Sequence, residues 1–306
     1  MTEQLDPEAA AFLERLRVAG GAPPHQGTVQ QARDGHNATA ANLAGPGEPV
    51  SEVRDELIAG VPVRIYRPEG ARGVTVYAHG GGWAVGSVQT YDTLCRALAN
   101  RSGSTVVSVD YTLAPDVQHP VQLEQVASVL DWVRTDAGPA PGEPIAVAGD
   151  SAGGFLAAWA AYEEARAGRR LAAQAVIYPA LDPALTTDSA QAFARGHYLE
   201  TETMHWYWDL YAPHDSGRDG VELLADADLG ALASTLAPAL VLTAGFDPLR
   251  DDGRRYVDAL QQAGVEADLL EFPGQIHGFA RFTAVLPQAL EALDQVGAWL
   301  RTRLSA

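Results

Sequence analysis

Ile145-Ala146-Val147-Ala148-Gly149-Asp150-Ser151-Ala152-Gly153-Gly154 is the stretch that decides how this chain folds. The apolar run 145–148 predicts a buried strand, and Phe155 to Arg166 has helical spacing. Ser151 stands at the turn between them, with a glycine two residues before it and another two residues after. A strand-to-helix turn this sharp needs strained backbone angles. The small neighbours Gly149, Ala152, Gly153 and Gly154 let the helix pack close to the strand. The expected result is a serine hydroxyl held up where a substrate reaches it.

Three other strand ends repeat this placement. Val74 to Ala78 runs into His79-Gly80-Gly81-Gly82-Trp83, and Leu240 to Ala244 into Gly245-Phe246-Asp247-Pro248-Leu249. Leu269-Leu270-Glu271-Phe272-Pro273 leads to Ile276-His277-Gly278-Phe279. The chain order is glycine loop, serine, aspartate, histidine, each just past a strand, where open α/β sheets place their ligand sites. Strands and helices alternate around these points: strand Thr105 to Val109, helix Val121 to Arg134, strand Ala175 to Tyr178, helix 250–263 and a final helix near 286–303. A hairpin, Val53 to Ala59 and Val61 to Arg67, precedes them. The pattern predicts an α/β fold with a mostly parallel central sheet flanked by helices. Residues 182–236 interrupt the alternation without a clear strand and read as a helical insertion between serine and aspartate. Asp6-Pro7-Glu8 starts an N-terminal helix that Gly20-Gly21 ends. Residues 22–49, rich in Pro, Gly, Ala, Asn and Gln, read as loop or marginal helix and the most mobile stretch.

Composition narrows the chemistry. All 21 basic residues are arginine, which excludes Schiff-base, lysine-base and P-loop lysine chemistry. A net charge of −18 over 306 residues argues against nucleic acid, anionic membranes and polyanionic substrates. Cys95 is the only cysteine, so no intramolecular disulfide and no thiolate metal site is expected; its helical surroundings read it as a small buried residue. His25, His36, His119, His197, His205 and His214 show no metal-ligand spacing, and neither a metal nor a cofactor is expected. The apolar stretches are strand-length, and the acidic N-terminus lacks a signal-peptide layout, so a cytoplasmic location is the expectation.

His79 to Trp83, Asp110-Tyr111-Thr112-Leu113-Ala114-Pro115, Gly149 to Gly154, Asp247-Pro248-Leu249-Arg250-Asp251 and His277-Gly278-Phe279 together resemble the hormone-sensitive-lipase-like branch of α/β-hydrolases, the family IV bacterial esterases. Asp116 and Asp252 stand where glutamate is usual in that family. The resemblance implies an α/β-hydrolase catalytic domain, residues 50–181 and 237–306, under a helical cap made from residues 1–49 and 182–236. It also implies a serine carboxylesterase for short-to-medium acyl esters. Related esterases often pair through the last strand, so a homodimer through the edge at Ala267 to Phe272 is expected.

Each candidate residue has a chemical reason. A serine hydroxyl is too weak an acid to attack an ester unaided, so Ser151 needs a base within hydrogen-bond reach. His277 is that base and then the acid for the leaving alcohol, and Asp247 fixes its tautomer. Asp251 and Asp252 are rival carboxylates that read as structural, in the first turn of a helix. Backbone N–H groups of Gly81, Gly82 and Ala152 are the expected oxyanion hole. His79 reads as a loop-shaping residue. Trp83 either lines the pocket or packs beneath the cap; Trp206 and Trp208, in a cluster with Tyr207 and Tyr211, are either cap core or pocket wall. The same triad serves amidases, lactonases, deacetylases and formamidases. A nucleotide-binding fold fits less well because the glycine run lacks G-x-G-x-x-G, and a non-catalytic receptor on this scaffold lacks a triad member, whereas all three are present.

Overall fold

The computed structural model describes residues 4–136, 138–213 and 228–305. Eight strands form one sheet: β1 (Glu52–Ile58), β2 (Val61–Arg67), β3 (Val74–Ala78), β4 (Thr105–Val109), β5 (Ile145–Asp150), β6 (Ala173–Ile177), β7 (Ala239–Phe246) and β8 (Ala267–Ile276). Their spatial order is β1-β2-β4-β3-β5-β6-β7-β8. The two N-terminal strands pair antiparallel, and every pairing from β4 to β8 is parallel. The expected α/β architecture is the observed one.

β3, β4, β5 and β6 are buried along their whole length. That is why they read as continuous apolar runs without alternation: both faces are covered by helices. On one face α3 (Asp92–Ser102) and α9 (Gln288–Leu304) pack with α1 (Pro7–Ala19), through Leu94, Leu98, Leu293, Val296 and Phe12. On the other face lie α4 (Val121–Val133), α5 (Ala152–Arg166) and α8 (Arg250–Gln262). Cys95 is fully buried among the first group.

The N-terminal region is more ordered than its composition implies. Val29–Leu43 is a 15-residue helix, α2. A capping box starts it: Thr28 Oγ1 accepts from the Gln31 N–H, and the Gln31 side chain accepts from the Thr28 N–H. Arg33 then ties α2 to the sheet-end loops, donating to the Ala84 and Ala114 carbonyls and to Asp116, each at 3.0 Å. Tertiary bonds make a helix where propensity alone is weak. Asp6 sits at the start of α1 as expected, but its carboxylate accepts from Gln275 and makes no capping bond.

Between β6 and β7 the described residues contain α6 (Asp188–Ala192), α7 (Thr201–Tyr211) and a short 3-10 turn at Gly230–Leu232, and no strand. His214 and part of the insertion lie outside the described residues. Among the described residues no helix is long and apolar enough to cross a membrane.

Candidate active site

Ser151 occupies the first position after β5 with φ 56° and ψ −121°, a conformation that side chains with a Cβ rarely adopt. It is held by its N–H donating to the Ile177 carbonyl at 2.8 Å and by the start of α5 directly after it. Gly153 is what permits this turn, because a Cβ there would lie 2.1 Å from the Ala78 carbonyl oxygen. Strain at the tip is therefore imposed by the close packing of α5 against β3.

His277 follows β8, and its Nε2 lies 2.9 Å from Ser151 Oγ. Its Nδ1 lies 2.7 Å from Asp247 Oδ2, just past β7. Asp247 is fully buried, and its other oxygen accepts from the Leu249 N–H at 2.8 Å. Asp247 thus holds the imidazole with one oxygen and closes the turn after β7 with the other. Ser151 and His277 are nearly covered, so their hydrogen bonds lie in a low-dielectric environment where they count for more than in water. Three strand ends far apart in sequence deliver a serine–imidazole–carboxylate chain.

Gly80-Gly81-Gly82 follows β3 beside this chain. The N–H groups of Gly81, Gly82 and Ala152 have no protein acceptor among the described residues. Ala152 opens α5, whose first N–H groups have no partner within the helix. Asp150 fastens the loop: Oδ1 accepts from Gly80 N–H and Tyr77 Oη at 2.8 Å, and Oδ2 accepts from Tyr91 Oη at 3.0 Å. Burial, and then the neighbouring Asp150 charge, push both tyrosine hydroxyls well above their ordinary range, so they stay protonated as donors. Asp150 was visible in sequence only as the second letter of the serine motif; nothing local marks it as the anchor of a loop 70 residues earlier. His79 shapes this loop, its Nδ1 2.7 Å from the Gly80 carbonyl and its ring stacked on Tyr111 at 4.3 Å.

The rival carboxylates are occupied elsewhere. Asp251 accepts from the Ser189 N–H and pairs with Arg250, while Asp252 accepts from the N–H groups of Leu181 and Asp182. Both secure the chain leaving β6.

The cleft over Ser151 encloses about 80 Å³. Gly81, Gly82, Met204, Tyr207, Tyr198 and Arg281 are among its walls. The three tryptophans do not line it, which corrects the pocket-wall reading. Trp83 and Trp208 are fully buried and pack on each other, with Tyr211 and Phe155 around them. Trp206 is half-buried against Tyr207. Helical spacing explains the exchange: Met204 and Tyr207, three apart on α7, share the face over the cleft, whereas Trp208 and Tyr211 share the adjacent face turned into the core. No group of three or more His, Cys, Asp or Glu among the described residues is placed to hold a metal.

Residues 75–281 match the model of the alpha/beta hydrolase fold family. The chain belongs to that family. It is 34% identical over 311 residues to an ethyl acetate hydrolase of Pseudomonas putida, covering 95% of this chain and 97% of that one. It is 37% identical over 284 residues to the carboxylesterase NlhH of Mycobacterium tuberculosis, covering 88% and 89%. Among solved structures, an ester hydrolase from the metagenome of Lake Arreo, complexed with a derivative of bipyridine phosphonate, superposes with a TM-score of 0.92 at 35% identity, over 99% of this chain and all of that one. The esterase resemblance carried by the motifs agrees with these matches.

Proposed function

We propose that this carboxylic ester hydrolase works through an acyl-serine intermediate, with Ser151 as nucleophile, His277 as base and Asp247 as its orienting carboxylate. The observation that carries the reading is the unbroken chain Ser151 Oγ–His277–Asp247 at 2.9 and 2.7 Å. His277 Nε2 takes the serine proton as Oγ attacks the acyl carbon, and returns it to the leaving alcohol. Asp247 holds the other ring nitrogen and stabilises the imidazolium. The tetrahedral oxyanion is received by the N–H groups of Gly81, Gly82 and Ala152, each such donor being worth roughly 10²–10³ in rate. Water then enters by the same route and releases the acid.

We assign residues 1–49 and 182–236 to a cap and residues 50–181 and 237–306 to the catalytic domain; residues 1–3 and 214–227 lie outside the described residues. The cleft size favours short acyl groups. Met204, Tyr198 and Tyr207 close over the narrow cleft at Ser151 and leave room for short acyl chains. The test is Ser151→Ala with a short-chain ester and a serine-directed phosphonate. The expected outcome is a folded protein that loses nearly all activity, and a wild-type label on Ser151. Full activity in the variant, or loss of wild-type activity with chelator, overturns the mechanism.

A further inference from the structure

Arg281 brings a positive charge to the wall of the Ser151 cleft. It sits on the short 3-10 turn Phe279–Arg281 after β8, so the turn that presents His277 presents the guanidinium as well. No carboxylate among the described residues lies within ion-pair distance of it. Its Nη1 is spent on His36 Nε2 at 3.1 Å and on Tyr91 Oη at 3.3 Å. Its plane packs over the rings of Tyr91 and Phe282, at 5.5 and 5.2 Å. The Nε and Nη2 hydrogens have no protein acceptor among the described residues. Burial and the adjacent guanidinium hold His36 well below the ordinary histidine range, so it is neutral, accepts from Arg281 and adds no second charge. Asp150 also lines the cleft and its charge reaches Arg281, but the two are joined only through Tyr91 Oη, and Asp150 already accepts three hydrogen bonds. The result is a pre-positioned cation with spare donors, beside a nucleophile and inside a small cleft.

Building on the ester-hydrolase reading, we propose that Arg281 is a specificity-determining residue that accepts a carboxylate on the substrate, so that the enzyme favours esters carrying one anionic group a few atoms from the scissile bond, such as monoesters of short dicarboxylic acids. A fork of N–H donors matches a carboxylate better than any neutral group. The net charge of −18 repels anions at long range, but screening confines that field to roughly 8 Å at physiological salt. A single carboxylate that reaches the cleft finds the unused Nε and Nη2 donors of Arg281, whereas the Asp150 carboxylate on the same wall is already occupied by three donors. Anions with several charges meet the same field without several cations to answer it.

The test compares monoethyl succinate with ethyl 4-oxopentanoate, its neutral isostere, as kcat/KM divided by each ester's rate constant for alkaline hydrolysis. In the wild type the charged ester is favoured. In Arg281→Gln the charged-to-neutral ratio falls about tenfold or more, the range of a lost charge-assisted hydrogen bond, and Arg281→Lys recovers part of it. A ratio equal within about twofold in wild type and Arg281→Gln, with both esters slowed alike, overturns the proposal and makes Arg281 a support for Tyr91 and Asp150 only. Should the glutamine variant not fold, the wild-type ratio decides alone: a value below one overturns the proposal. Failure of the ester-hydrolase reading looks different, since then neither ester is turned over and the phosphonate leaves Ser151 unlabelled.

Discussion

Gly82→Ala tests whether the glycine loop and α7 form the cleft by direct contact. Gly82 has φ +57°, and a Cβ there would lie 2.2–2.4 Å from three ring carbons of Tyr207. Non-bonded carbons settle about 3.5–4.0 Å apart, so ring or loop must retreat by more than about 1 Å. The left-handed backbone costs an alanine roughly 1–2 kcal/mol, and overfilling the packed site costs about 1–3 kcal/mol. The total of about 2–5 kcal/mol lowers Tm by roughly 4–10 °C in a chain of this size. A displacement of about 1 Å at a reacting centre costs on the order of 100-fold in rate, so kcat/KM on a short acyl ester falls by about that factor. Gly60→Ala is the control. Gly60 also has positive φ, at +84°, but nothing lies within 4 Å of its added Cβ, so it carries the backbone cost without the collision. Adding Tyr207→Ala to Gly82→Ala removes the ring and recovers the steric part of the stability loss, a coupling read from the double-mutant cycle. If Gly82→Ala keeps wild-type kcat/KM, or melts no lower than Gly60→Ala, the loop and α7 do not meet as described.

Three further outcomes are expected. Burial, opposed by two backbone donors, pushes the Asp252 carboxyl from 3.8 up to about 8. The folded chain therefore holds a proton here that the unfolded chain gives up, so the contribution of Asp252 to stability is full below about pH 4 and declines as pH rises toward 8. Asp252→Asn, which cannot ionise, flattens that slope in denaturant titrations across pH; an unchanged slope rejects the assignment. Arg33→Ala removes the bonds from α2 to Ala84, Ala114 and Asp116, and loosening this wall shifts the optimum of an acyl-length series toward longer chains; an identical profile shows that α2 does not limit the cleft. β8 is an edge strand with Leu269 exposed on it, and sedimentation at micromolar concentration gives twice the 32.4 kDa of one chain; a mass of one chain refutes pairing.

Much of the site was legible because its parts are short and local. A strand, a tight turn and a helix start are encoded within about ten residues around Ser151, and the same holds at Gly80–Gly82, Asp247 and His277. Backbone geometry at such turns admits few residue types, so the types announce the turn. The residues that sequence reasoning missed, Asp150 as loop anchor and Arg281, Tyr198 and Met204 as cleft walls, have no such local requirement. Their roles arise from partners 59 to 190 residues away. The stretch 22–49 was underrated for a related reason. Its prolines, glycines and asparagines offset its alanines, and α2 is stabilised by a capping box and by the Arg33 bonds to loops that follow β3 and β4.

The sequence by itself determined the alternating architecture, the order of the four strand-end motifs and the exclusion of lysine and thiolate chemistry, since these follow from apolar period, turn chemistry and composition. Only the tertiary structure decided which face of α7 meets the substrate. In the run Met204 to Tyr211 aromatic side chains stand at 206, 207, 208 and 211, and a rotation of one residue about the helix axis, about 100°, exchanges Tyr207 for Trp208 over the cleft. That rotation is set by what Trp83 and Phe155 leave room for beneath the helix, and no periodicity within the helix records it. The placement of Arg281 was decided the same way: it is one arginine among 21 in the sequence, and only the fold leaves it without a described carboxylate at ion-pair distance and sets it in the wall of the Ser151 cleft.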